Sequence, residues 1–334
     1  MTTASMALAA RSYNPDNLTE RGACRRVVPM PLLKLARARW ALLLVASFMV
    51  SSVSAQSNEA GARRGFLYEV RKGNQVSLLM GTIHVGRPEF YPLPAAQMER
   101  IERTDAIVLE ADVTDSARAL AATQKYAVYA AGEPGLDTRI PAALKARIET
   151  LAARNQLEAA PLWRMKPWML GNVLALFEAA QAGYMPALSV EGYLTRVAKQ
   201  GGKPILELES IEGQFELFDR APASTQLAFL EDAVKAVETN AARREINRIA
   251  QAWETGDRAA LERLLAEMRA QNTVGARFTV DTILLGRHPG MVRRIEALMA
   301  EGKSYVFAVG SLHLPGPEGL VALLRARGYT VTPL

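Results

Sequence analysis

Two stretches near opposite ends of the chain constrain how it can fold: Leu78-Leu79-Met80-Gly81-Thr82-Ile83-His84 and Phe307-Ala308-Val309-Gly310-Ser311-Leu312-His313. Each is a short apolar run that closes on Gly-x-x-His. Runs of this length, bounded by turn formers, read as buried strands, and a glycine behind them admits a tight turn or a close backbone approach. The chain has only three histidines, and two of them sit in this repeated setting. A fold that uses both must bring the two ends of one domain together.

The segments between fill in the class. Residues 66–70 and 76–80 flank Lys72-Gly73-Asn74 and read as a hairpin. Residues 106–109 form a short buried strand closed by Glu110, and 204–208 another closed by Glu209. Residues 304–309 are the last buried strand and 329–332 a closing edge strand. Helices are expected over 95–103, in an alanine-rich stretch with Leu120 and Val128 inside, after Pro141, over 168–182 and over 192–200. Leu227, Leu230, Val234, Val237 and Ala241 trace one face of a long helix. Asp257 caps the next. Further helices precede Gly286 and cover 291–300 and 318–327. The expected fold is α/β (α+β): one central, mostly parallel sheet made from both ends of the chain, with a large helical insertion. Trp163 and Trp168 read as packing for that insertion.

The formal charge of +6 suggests a phosphate binder until its position is considered. Residues 1–55 hold seven Lys or Arg and two Asp or Glu, so the remaining body has 33 basic and 32 acidic residues. A nearly neutral body carries no nucleic-acid footprint. The excess belongs to a targeting pattern: Lys34, Arg37 and Arg39, then the apolar stretch 40–50, then Ser52-Val53-Ser54-Ala55 with small residues for cleavage. Residues 1–55 are therefore expected to be a signal peptide, with Met30 a plausible alternative start, and 56–334 a single exported, periplasmic domain. Membrane contact is expected only through that segment, if it is not cleaved. The single cysteine, Cys24, lies in the part to be removed. Any metal must then be held by nitrogen and oxygen.

His84 and His313 each follow a strand by four residues, and Glu110 and Glu209 close two others. If these strands run parallel, all four side chains meet at one edge, where open α/β sheets form their binding crevice. Two histidines with carboxylates suit a divalent ion such as Mn, Co or Zn. The patterns of other chemistries are missing: no Walker loop, no G-x-G-x-x-G after a strand, no G-x-S-x-G and no H-E-x-x-H.

These residues also resemble a family. Gly81-Thr82-Ile83-His84-Val85-Gly86, Glu110, Leu208-Glu209 with Gln214, Arg287, and the block 309–320 followed by Arg327-Gly328-Tyr329-Thr330-Val331 are similar to the TraB/GumN family, which includes the Tiki metalloproteases. The resemblance spans most of 65–334. It implies hydrolysis of a peptide or protein. With one divalent ion held by His84, His313 and either Glu110 or Glu209, the other carboxylate is expected to act as general base and Arg287 to stabilise an oxyanion, a structural ion pair at a helix end being the alternative for Arg287. Two positions depart from the family pattern. Glu191 stands where Asp is common, and His288 where Asn follows the arginine. Both become candidate ligands, although a histidine before Pro289 reads first as an exposed turn residue. A rival reading is a non-catalytic periplasmic protein that binds a peptide or assists polysaccharide export.

Overall fold

In the computed structural model residues 65–334 are described, Val113 excepted. The signal-peptide expectation for 1–55, with its alternative start at Met30, lies outside them. Six strands form one sheet: β1 Phe66–Lys72, β2 Gln75–Thr82, β3 Ala106–Leu109, β4 Ile205–Glu207, β5 Tyr305–Gly310 and β6 Thr330–Pro333. Their order is β4-β3-β5-β2-β1-β6. The four strands from β4 to β2 run parallel, while β1 pairs antiparallel with β2 and with β6. The sheet is thus mostly parallel and drawn from both ends of the chain, as expected.

Composition explains which strands are central. Every residue of β3 and β5 is buried, in keeping with their unbroken apolar sequences Ala-Ile-Val-Leu and Tyr-Val-Phe-Ala-Val-Gly. Strands covered on both faces need no polar alternation. β6 buries only Val331 and occupies one edge. Leu79, Met80, Ile107 and Phe307 are inaccessible to solvent, and burying each such side chain contributes about 1.5–3 kcal/mol. Register sets the functional edge. Thr82 pairs with Gly310, and Leu109 faces both Ala308 and Glu207, so the parallel strands end within a residue or two of one another.

The helical insertion has a core of its own, built from Leu136, Leu144, Ile148, Leu170, Leu230 and Val234. Trp168 is buried there, stacked on Phe218 at 4.9 Å, which fits the packing role read from sequence. Two expectations fail. The long amphipathic helix is two helices, Ala223–Glu238 and Ala241–Thr255, divided at Asn240, whose φ of 55° is left-handed. Asparagine tolerates that region better than most residues, so the chain turns there although the apolar spacing runs on to Ala241. Leu120 and Val128 were expected in one helix, but the helix Ser116–Ala122 holds only Leu120, which is 54% exposed. Val128 is outside that helix and bridges Met165. Among the described residues no helix is long and apolar enough to cross a membrane.

Candidate functional site

The parallel strands deliver their side chains to one edge, and the loops behind them are pinned by short-range contacts. After β2 the chain bonds in both directions with a distant turn, Gly86 N–H to Met185 O at 3.0 Å and Met185 N–H to Gly86 O at 2.7 Å. A Cβ at Gly86 would collide with the Leu188 carbonyl, so only glycine permits this approach. After β5, the Ser311 hydroxyl donates to Thr82 O at 2.6 Å. These bonds fix the positions from which His84 and His313 project.

His84 and His313 converge with Glu110 around Gly310. A Cβ built on Gly310 would lie 3.3 Å from His84 Nε2, 3.5 Å from Glu110 Oε2 and 3.5 Å from His313 Cδ2. The glycine therefore leaves open the space that three functional side chains surround. His313 Nε2 stands 3.5 Å from Glu110 Oε2, and the Gly310 N–H donates to that same oxygen at 3.0 Å.

Each histidine has its other nitrogen engaged from behind. His84 Nδ1 meets Glu191 Oε1 at 2.9 Å, and the Thr82 hydroxyl also donates to Glu191 Oε1. Ser189 caps the helix Val190–Gln200 through Gly192 N–H, which places Glu191 in its first turn, facing the site. His313 Nδ1 meets His288 Nε2 at 2.8 Å, and His288 Nδ1 meets the Glu318 carbonyl at 2.6 Å. A carbonyl only accepts, so His288 Nδ1 carries a proton. In a neutral His288, Nε2 then accepts from His313 Nδ1–H. That leaves His313 Nε2 as the nitrogen that faces Glu110.

The sequence reading of His288 as an exposed turn residue is corrected here: it is 1% exposed. Its helix, His288–Met299, turns the ring inward onto His313. Burial, with His313 adding, lowers its pKa to about 4. Glu191 raises the pKa of His84 to about 9, against burial, although 65% of the His84 side chain meets solvent. Burial would push Glu110 up, but His313, Arg287 and His84 together hold it well below the usual carboxylate range. Glu191 is lowered too, since His84 and Thr82 outweigh its burial.

The remaining charges form a second layer. Arg287 Nη2 bonds both Glu110 Oε1 and Glu209 Oε2, the latter at 2.6 Å, and Nε adds a bond to Glu209 Oε2 at 2.9 Å. Its Nη1 donates to Ile283 O at 3.2 Å. Gln214 Nε2 bridges the two carboxylates at 3.0 and 3.4 Å. The guanidinium, 11% exposed, is thus already committed to a clamp. Glu209 faces Arg287 and Gln214, and the structure places it beside Glu110 on the side away from Oε2.

Of the expected residues, then, the fold gathers His84, His313 and Glu110 at Gly310, sets Glu191 and His288 behind the two histidines, and joins Glu209 to Arg287. Thr82 and Gln214 were not assigned roles from sequence, although both lie in the stretches that carry the resemblance; nothing local to them signals which carboxylate they contact. A divalent ion fits this set. The donors are imidazole nitrogens of His84 and His313, each ring backed by an outer partner, and a carboxylate oxygen; His84 Nε2, Glu110 Oε2 and the Cδ2 edge of His313 border a space that a Cβ would fill. Among the described residues no three His, Cys, Asp or Glu side chains already stand as a closed metal-binding group. What fits is the donor chemistry and its direction.

Comparison with known proteins agrees with the sequence resemblance. The model of the TraB/PrgY/gumN family matches residues 66–333. The chain is 27% identical over 253 residues to the uncharacterized protein YbaP of Shigella flexneri, and equally to that of Escherichia coli (strain K12). Each alignment covers 76% of this chain and 89% of the relative. No solved structure matches it.

Proposed function

The chain belongs to the TraB/PrgY/gumN family, and from that premise we propose that it is an exported, divalent-metal-dependent hydrolase of peptide bonds. The observation that carries the reading is the convergence of His84 Nε2, His313 and Glu110 Oε2 on the open side of Gly310. His84, His313 and Glu110 would hold the ion, with Mn, Co or Zn the suitable choices. When bound, the ion supplies Lewis acidity: it polarises a carbonyl and makes water acidic near neutral pH.

The chain's own residues do the rest. Glu191 orients the His84 ring through Nδ1 and increases the basicity of Nε2; His288 does the same for His313. Arg287 and Gln214 hold the outer oxygen of Glu110, so that Oε2 keeps its aim. In Glu209 the clamp engages Oε2 alone, which leaves Oε1 to take a proton from water and return it to the leaving amine. Arg287 clamps the two carboxylates in this reading, the ion-pair alternative to its expected role as oxyanion donor. His84 lies open to solvent, an access that suits a segment of a polymer chain better than a fully engulfed small molecule.

A non-catalytic peptide- or polysaccharide-binding accessory is the second reading, favoured by the absence of a closed three-donor group among the described residues. One experiment separates the two. The purified protein is dialysed against Mn, Co or Zn, its metal content is measured by mass spectrometry, and it is incubated with a peptide library. The hydrolase reading expects one ion per chain and cleavage, both lost in His84→Ala and His313→Ala. A folded protein that retains none of these ions and cuts nothing in their presence would leave the binding reading standing.

A further inference from the structure

A second feature lies in the helical insertion, lined by none of the strand-edge site's residues. The helices Pro167–Gln181, Ala223–Glu238 and Ala241–Thr255 meet the turn Val274–Arg277 around a cavity of about 250 Å³. Its edges are packed to the contact limit. A Cβ on Gly171 would sit 2.7 Å from the Phe229 ring, and one on Gly275 would sit 2.8 Å from Phe229 Cα. Space remains between these contacts because Ala175, Ala233, Ala236 and Ala242 line it and end at Cβ. Beside two such tight contacts, the short side chains rather than loose packing leave this solvent-open pocket unfilled.

The charges in the lining have one sign. Asp232 and Glu245 contribute carboxylates, and the lining contains no Lys or Arg. Asp232 is already served by the Thr273 hydroxyl at 2.6 Å. Glu245 has no hydrogen-bond or ion-pair partner among the described residues, and burial pushes its carboxyl pKa up. Arg248, the cation that acts on it, is spent on Glu267 through two bonds of 2.6 and 2.8 Å. A half-buried carboxylate without a partner beside an apolar cavity is costly to keep ionised. A cation bearing an apolar tail satisfies both halves of the site.

We propose that this cavity binds a small organic amine, its ammonium head paired with Glu245 and its apolar tail lying against Phe229, Ala233 and Ile249. The inference is independent of the hydrolase reading, since it uses no residue of the strand-edge site.

Calorimetric titration of the full chain with three matched probes tests it: phenethylamine, 2-phenylethanol and phenylacetate. Charge-assisted pairing predicts that the amine binds at least about tenfold more tightly than the alcohol, and that the anion does not bind. In Glu245→Gln the amine should fall to the level of the alcohol. In Ala233→Leu, which fills the cavity, amine and alcohol binding should both vanish, with circular dichroism confirming that each variant is folded. The proposal is overturned if none of the probes binds, if phenylacetate binds as well as phenethylamine, or if folded Glu245→Gln retains parental amine affinity. Should Ala233→Leu fail to fold, the probe series and Glu245→Gln decide the question alone.

Discussion

Replacing Gly310 by alanine tests the strand-edge site with a single methyl group. Gly310 has φ −50° and ψ 134°, angles open to any L residue, so the substitution brings no backbone strain. Losing glycine's freedom in the unfolded chain stabilises by about 0.4–1 kcal/mol. Crowding opposes this, because the new carbon meets His84 Nε2 at 3.3 Å and Glu110 Oε2 and His313 Cδ2 at 3.5 Å. The two effects should nearly cancel, leaving stability within about 1 kcal/mol of the parent, or about 2–4 °C in Tm. Ligand binding should respond far more strongly. Zinc-like ions sit about 2.0–2.2 Å from nitrogen and carboxylate donors, and the methyl takes up the space in which these donors meet. Gly310→Ala should bind Co at least about 100-fold more weakly, equivalent to about 2.7 kcal/mol. Cobalt absorbance titration measures this directly, beside thermal unfolding of the same samples. A variant with parental Tm that binds Co within about threefold of the parent would show that the ion does not lie among these three side chains, and the placement around Gly310 would be wrong.

Three further outcomes follow from the same geometry. His288→Leu strands the His313 Nδ1–H in a buried place, at about 1–3 kcal/mol, and should weaken metal binding about 10–100-fold. His288→Asn can donate and accept in the same places and should recover part of the loss; nitrogen NMR of the metal-free protein should find His313 protonated at Nδ1, and a proton at Nε2 instead would refute the relay. Arg287→Met leaves Glu110 and Glu209 without their shared counter-ion and should destabilise by about 3–5 kcal/mol in denaturant titration; a loss under about 1 kcal/mol would mean the clamp is dispensable. In chelator-treated protein, His288 titrates in the folded state at about 4, below its unfolded value near 6.5, so the unfolded chain binds the extra proton and stability falls as pH drops from about 6.5 to about 4. His84 titrates at about 9 in the folded state, so its contribution is complete below about 6.5 and is lost as pH rises toward 9. Urea midpoints across pH should therefore peak between the two limbs, with His288→Leu removing the acid limb and Glu191→Gln the alkaline one.

How far the sequence revealed these arrangements depended on the range of the interaction. The strands were legible because apolar runs bounded by Gly, Pro and charged residues are local signals, and all six are found where those signals lie. The broken helix at Asn240 was not, because the periodicity of Leu230, Val234 and Val237 continues to Ala241 while the turn depends on one left-handed residue. The alanines around Leu120 offer no stop signal, so the end of its helix before Val128 could not be read. His288 was misjudged for a different reason. Its partners, His313 and Glu318, lie 25 and 30 residues further along the chain, and Pro289 beside it gives a local signal for a turn that the tertiary contacts override.

The two carboxylates show why strand order matters more than residue type. In sequence Glu110 and Glu209 are equivalent: each is a glutamate closing a short apolar strand, and either could be a ligand or a base. The sheet order β4-β3-β5-β2 removes that equivalence. Glu110 follows β3, which pairs directly with β5, the strand that leads into Gly310 and His313. One of its oxygens must therefore face that strand, and Oε2 accepts the Gly310 N–H. Glu209 follows β4 at the edge of the sheet, with β3 between it and β5. Its N–H bonds the Glu110 carbonyl at 3.0 Å, its carboxylate meets that of Glu110 through Arg287 and Gln214, and it remains 20% exposed. A ligand needs a fixed oxygen aimed at the histidines, whereas a base needs an oxygen that water can reach. The topology gives the first property to Glu110 and the second to Glu209, so Glu110→Gln should abolish metal retention, while Glu209→Gln should keep the metal and lose cleavage. Equal metal loss in both variants would return the two glutamates to the equivalence they have in the sequence.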